Sequence, residues 1–277
     1  MPPKLPLSRN KAKAQTKQAH RPVPVPVERS VDFCRVFVEG KALPGSMHYT
    51  AAMERVKEAE NGYVWLSLHE PSADQMERVA QEFGIHDLIV EDAVAAHQRP
   101  KVERYGEQLF FVIRTVTYRD DEEVSDLREI ISTGEVQMLV GDDFVITIRH
   151  DTQLPNLTQE LIEDQEISSL GPAAVAWKVA DHIVENYMKV TTFLSSDVDE
   201  LENEVFTPRQ LINIDKIYMY KREVLEMRHA TDPLGPALRS GLTLNKDLLS
   251  KPIRSYLRDV QDNATVSYTH LRAHETD

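Results

Sequence analysis

The 277 residues are 41% apolar and 28% charged, the balance of a globular chain with a real core. The single cysteine, Cys34, excludes an internal disulfide and a thiolate zinc cluster, and it suits a reducing compartment. Seven Lys or Arg and one Glu give residues 1–30 a charge of +6, leaving −19 on the rest of a chain whose total is −13, so nucleic acid is excluded as a partner of the folded part and cations or a basic partner are favoured. The longest stretch free of Asp, Glu, Lys and Arg is the 12-residue run Ala42–Met53, too short and too polar to cross a bilayer.

Residues 1–30 are rich in Pro and Lys, lack apolar periodicity, and predict a disordered basic tail. From residue 31 to about 165 strands and helices alternate. "RVFVEG" and "YVWLSL" are short, branched and aromatic, and predict strands. Ser72 with Gln75 three residues on predicts a capping box, Met76, Val79, Ala80 and Phe83 form the apolar face of the helix behind it, and Gly84 stops it. A second short helix is predicted from Asp87 to Ala96, before Pro100. "EQLFFVIRTVTY", "REIISTGEVQMLVG" and "DFVITIRH" follow as strands, the last two joined by a tight turn at 141–143. The fold class is α/β (α+β), an α/β/α sandwich with a mixed sheet, followed by long antiparallel helices and a truncated stalk helix.

Beyond Pro172 the pattern is helical. Ile183, Tyr187, Val190, Leu194, Val198, Leu201 and Val205 make one stripe of about nine turns, ending at Thr207–Pro208. Asp197, Asp199, Glu200, Glu202 and Glu204 place acid on its other side, which reads as a solvated face. A second helix is predicted from Arg209 to Ala230, broken by "DPLGP", and a third from near Pro252 with Leu249, Ile253, Tyr256 and Val260 on one face. Residues 166–264 thus form an acidic helical hairpin and the start of a stalk. After Ala264 the run "TVSYTHLRAHETD" shows no 3.6-residue continuation, and residues 265–277 are expected to be a non-native tail.

Glu91 and Asp92 close an apolar run and are flanked by His86 and His97. Adjacent helical residues point about 100° apart, so the two acids do not converge as a catalytic pair. They could hold a hard cation or simply end a helix in solvent. The histidines have no further nitrogen or sulfur ligands spaced to complete a zinc site, and read as helix-end residues.

The motifs "VWLSL" (64–68), "FGIHDLIVEDAVAAHQRPKVE" (83–103) and "YLRDVQDN" (256–263), in that order, resemble the cytoplasmic part of CorA-type magnesium/cobalt transporters. The resemblance implies a non-enzymatic, Mg2+-sensing regulatory domain of a divalent-cation channel on the cytoplasmic face of the cell membrane. It implies a homopentamer whose stalk helices lead into two membrane spans and a Gly-Met-Asn motif, none of them in these residues. It implies regulatory Mg2+ (or Co2+) between neighbouring subunits, with Glu91, Asp92, Asp181 and Asp259 as ligands. Asn263 stands where some members have a histidine and supplies a neutral oxygen to a second cation position. The alternatives are a Zn2+- or Ni2+-transporting relative of the same fold, and a soluble metal-dependent hydrolase built on Glu91 and Asp92.

Overall fold

The computed structural model describes residues 26–119, 130–155, 157–207 and 214–273. Most of the predicted basic tail, residues 1–25, lies outside them, as do 274–277 at the other end. Residues 27–29, the end of that predicted tail, form a 3-10 turn with Val27 buried, and Gln75 donates a 2.6 Å hydrogen bond to the Pro26 carbonyl.

In chain order the elements are β1 (Val31–Val38), β2 (Lys41–Ala42), α1 (Tyr49–Lys57), β3 (Gly62–His69), α2 (Ala73–Phe83), α3 (Asp87–Val94), β4 (Lys101–Tyr105), β5 (Gln108–Tyr118), β6 (Ile131–Val140) and β7 (Phe144–His150). Helices follow: α4 (Thr158–Glu163), α5 (Gln165–Ser168), α6 (Pro172–Phe206), α7 (Ile214–Thr231), α8 (Leu234–Leu244) and α9 (Lys251–Ala273).

The strands form one mixed sheet in the order β2-β1-β3-β7-β6-β5-β4. Strands β4 to β7 are an antiparallel meander; short turns join β4 to β5 and β6 to β7, and Gly141 N–H donates to the Phe144 carbonyl at the predicted hairpin. The centre is the parallel pair β3–β7, which a hairpin cannot make and which requires the intervening chain as a crossover.

Both faces of the sheet are covered, so the central strands are apolar at successive positions rather than alternate ones. On β5, Leu109, Phe111 and Ile113 face one core while Phe110 and Val112 face the other. One core is closed by α1, α2 and α3 through Met53, Met76, Val79, Ile89 and Ala93. The opposite core is closed by α6 to α9 through Ile183, Tyr187, Leu194, Met227, Leu238 and Val260. This is the predicted α/β/α sandwich. The capping box at Ser72 and Gln75 and the left-handed Gly84, at φ 63°, bound α2 as expected.

Three departures from the sequence expectation have local causes. "DPLGP" breaks the helix as expected, with α7 ending at Thr231, but the chain enters a further helix, α8, at once: Pro233 sits at its N-cap and Pro236 in its first turn, where a missing N–H breaks no intrahelical bond. Leu257, not Tyr256, shares the core stripe of α9 with Ile253 and Val260, and Tyr256 is 36% exposed at its edge. The helix α9 continues past Ala264 to Ala273. Nothing in 265–273 is Gly or Pro, Thr265 and Thr269 bond back to the carbonyls of Gln261 and Thr265, and the stripe continues into a buried polar contact, Ser267 to Thr191 at 3.1 Å.

The long helices have defined senses. Trp177 stacks on Tyr256 and Thr191 meets Ser267, so residue numbers rise together and α6 and α9 run parallel. Lys216 pairs with Glu204 at 2.9 Å, and burial followed by the charges of Asp197, Glu200 and Glu204 pushes the Tyr220 hydroxyl up to about 12. Numbers therefore fall on α6 as they rise on α7, and these two are the antiparallel pair. The acidic strip is partly committed: Glu204 binds Lys216, and Asp197 accepts from the Tyr118 hydroxyl at 2.8 Å.

Candidate metal site

The helix α3 is short and is positioned from both ends. His86 caps its start, with Nδ1 accepting from Leu88 N–H at 3.2 Å. At its end the carbonyls of Asp92 and Ala95 accept from Gln98 Nε2 at 2.5 and 2.9 Å and from Gln137 Nε2 at 3.2 and 3.0 Å. Gln137 is fully buried on β6 and also donates to the buried Glu135 at 2.7 Å, and Glu135 accepts the Gln98 N–H at 2.6 Å. The last carbonyls of α3 are thus satisfied from the sheet, which fixes where Glu91 and Asp92 emerge.

The two acids separate as the helical geometry requires. Glu91 is exposed and lines a cleft of about 380 Å³ with Glu77, Gln81 and Asp87; that cleft does not include Asp92. Asp92 turns toward β4, where its Oδ2 lies 2.6 Å from Lys101 Nζ. The same ammonium is 2.9 Å from Glu103 Oε2, which also accepts from the Tyr105 hydroxyl at 2.9 Å. Burial alone would lower the Lys101 pKa, but its hydrogen bonds to Asp92 and Glu103 outweigh it and hold the ammonium above its ordinary value. For Glu103, burial pushing up is outweighed by Lys101 and Tyr105, and the carboxyl stays low.

Lys101, Glu103 and Tyr105 share one face of a strand, and their signal in the sequence was the period-two spacing in "KVERY". Val102, on the other face, is met by α8: a Cβ on Gly241 would lie 2.5 Å from Val102 Cγ1. Only glycine permits this approach, and it sets the depth of β4 beneath the helix layer.

Asp181 and Asp259 belong to the opposite layer, on α6 and α9. Asp181 is half-buried and its pKa is raised, first by burial, then by Glu185 one turn on; Lys178 opposes the rise and the charge of Asp259 adds to it. The Asp181 carboxyl therefore senses the Asp259 charge within one chain. Asp259 and Asn263 are exposed, one turn apart on the same side of α9. Glu185 is the acid that sequence reasoning missed here, although its i+4 spacing from Asp181 marks it.

The five predicted ligands thus form two groups. Glu91 and Asp92 lie on a helix packed against one face of the sheet; Asp181, Asp259 and Asn263 lie on helices packed against the other. Among the described residues, no three His, Cys, Asp or Glu side chains converge as a metal site within one chain. His86 serves as a cap, and His97 lies 3.6 Å from Asp151, so the two histidines answer to separate partners. The donor set is all oxygen, which fits a hard divalent cation.

This architecture, an α/β/α sandwich with a parallel pair of long helices on one face, defines the class of domain, and comparison places it in a family. A family model described as CorA-like Mg2+ transporter protein matches residues 60–275, and the chain belongs to that family. It is 26% identical over 193 residues to the cobalt/magnesium transport protein CorA of Thermotoga maritima, covering 69% of this chain and 53% of that protein. It is 22% identical over 213 residues to YfjQ of Bacillus subtilis, covering 76% of this chain and 64% of that one. The chain therefore spans between half and two thirds of the length of these relatives. The solved soluble domain of CorA from Methanocaldococcus jannaschii superposes with a TM-score of 0.66 at 12% identity, over 88% of this chain and 92% of that one, which establishes the fold. No described helix is long and apolar enough to cross a membrane.

Proposed function

We propose that this chain is the Mg2+-sensing cytoplasmic part of a CorA-like divalent-cation (Mg2+/Co2+) channel, acting in a homopentamer at the cytoplasmic face of the membrane. Regulatory Mg2+ binds between copies. Glu91 and Asp92 of one subunit face Asp181, Asp259 and Asn263 of the next.

One observation carries this reading: the two groups of oxygen ligands sit in opposite outer layers of the sandwich, so an ion that uses both needs two copies of the chain. Facing carboxylates at about 5 Å repel by about 3 kcal/mol at an effective dielectric of ~20, and a divalent cation between them reverses the sign. A millimolar site contributes about 4 kcal/mol at standard state. Five sites, each favouring the closed ring about tenfold, sum to about 7 kcal/mol, above the ~5.5 kcal/mol that takes a two-state switch from 1:99 to 99:1. Weak sites suffice, and weak sites suit an abundant ion.

The test is sedimentation velocity and thermal melting of this chain in 0–20 mM MgCl2. Association or a rise in Tm is expected at millimolar Mg2+, and Asp92→Asn combined with Asp259→Asn removes it. The same Mg2+ response in the double variant overturns the ligand assignment.

A further inference from the structure

The Asp92 carboxylate already holds a cation. Lys101 Nζ sits 2.6 Å from Asp92 Oδ2 and 2.9 Å from Glu103 Oε2, a bridging position between two acids. Its backbone cannot follow an incoming ion: Lys101 is registered against Val112 of β5, and the next residue, Val102, is pinned beneath Gly241. Its stem carries the ammonium 5.6 Å from the centre of the Phe110 ring. The ammonium is thus tethered, and a tethered ligand meets its partner at a fixed effective concentration that bulk salt does not dilute.

We propose that Lys101 is an internal competitor for the divalent cation at Asp92, and that it sets both the weakness of that site and its preference for divalent over monovalent ions; this rests on Asp92 being a ligand. Glu103 makes the exchange reversible. When a divalent ion takes Asp92, Lys101 stays on Glu103, which the Tyr105 hydroxyl holds in place through the same Oε2. The displaced ammonium therefore keeps a charged partner in a part-buried position, and the exchange leaves no unpaired charge behind. A monovalent cation offers Asp92 no more charge than the ammonium it would have to displace, so Na+ or K+ leaves Lys101 seated. A divalent ion offers twice the charge.

The test is an MgCl2 titration of the full chain at constant ionic strength, read as the Mg2+ midpoint of the Tm rise. Lys101→Met keeps the stem over Phe110 and removes the charge. Its Mg2+ midpoint is expected about fivefold lower than wild type, equivalent to ~1 kcal/mol for a part-exposed ion pair. Lys101→Arg, which keeps a tethered cation, is expected within about twofold of wild type. Should the Met variant not fold, Lys101→Gln is read in its place, with the same downward shift expected. An unchanged or higher midpoint in the charge-removing variant, alongside an Mg2+ response that Asp92→Asn abolishes, overturns the competitor role and leaves Asp92 as a ligand. A response that survives Asp92→Asn with Asp259→Asn overturns the ligand reading, and the competitor falls with it.

Discussion

Trp177 of α6 lies stacked on Tyr256 of α9, ring centroids 4.6 Å apart and planes 27° from parallel. One turn further along both helices come Asp181 and Asp259, so an attractive aromatic pair is followed at once by a like-charged one. The stack holds the parallel helices together where the acids push them apart.

Stacked aromatic pairs contribute about 0.5–1.5 kcal/mol beyond the area they bury. Trp177→Ala is expected to destabilise the chain by about 2–3 kcal/mol and Tyr256→Ala by about 1–2 kcal/mol. A double-mutant cycle by urea denaturation should return a coupling near 1 kcal/mol. Additive effects would mean that the rings pack on their own helices rather than on each other.

Asp181 is expected to oppose folding when ionised. Its folded pKa is raised by burial, Glu185 and Asp259. The sign follows from linkage: the stability tied to its protonated form is fully present below the unfolded pKa and is lost as pH rises through the folded one. Asp181→Asn should therefore raise stability in Mg2+-free buffer at pH 7.5 by about 0.5 kcal/mol, the scale of a like-charge i,i+4 pair. The gain should vanish near pH 3. Melting curves of both proteins at the two pH values check this, and an equal gain at both would remove the electrostatic explanation.

Asp32 behaves in the opposite sense. Arg149 grips it with two bonds of 2.8 and 2.9 Å, and His69 adds a third at 2.8 Å. Burial pushes its carboxyl up, but Arg149 and His69 outweigh burial and hold it below its ordinary value. Its contribution is present above the unfolded pKa and is lost as pH falls through the folded one. Asp32→Asn should cost about 1.5 kcal/mol at pH 7, a charge-assisted value reduced for partial exposure. Wild type and variant should converge in stability only well below pH 4.

The approach of α8 to β4 gives a steric prediction. Gly241→Ala places a methyl 2.5 Å from Val102 Cγ1 and 2.8 Å from Val102 Cβ, and should cost about 1–3 kcal/mol by overpacking. Adding Val102→Ala removes the nearer atom and should return part of that loss. A double variant that equals or exceeds the simple sum would place the strain elsewhere.

Much of the sandwich was legible because its signals are local. The strands β5, β6 and β7, the capping box at Ser72 and Gln75, and the stripe of α6 each follow from neighbouring residues. What escaped was set at a distance. The parallel pairing of β3 with β7 joins segments about eighty residues apart, as in Trp65 opposite Val145. The prolines around Leu234 do break the helix, but its restart as α8 escaped because their place in a first turn depends on where the next helix begins. On α9, Tyr256 and Leu257 are both able to face a core, and only the position of Trp177 settles which does. At the candidate site, Glu91, Asp92, Asp181, Asp259 and Asn263 were singled out as ligands by resemblance alone. Their division between two layers, and the occupation of Asp92 by Lys101, required the sheet to be in place between them.

The parallel pairing of α6 and α9 has a mechanical consequence. The aromatic stack at Tyr256 and the polar contact at Ser267 fasten one rod to another at two points eleven residues apart, a lever arm of roughly 16 Å at 1.5 Å per residue. A tilt of about 5° at the Tyr256 end, beside Asp259, moves the Ser267 end by roughly 1.4 Å over that arm. Because Thr191 is bonded to Ser267, such a displacement would load two helices at once.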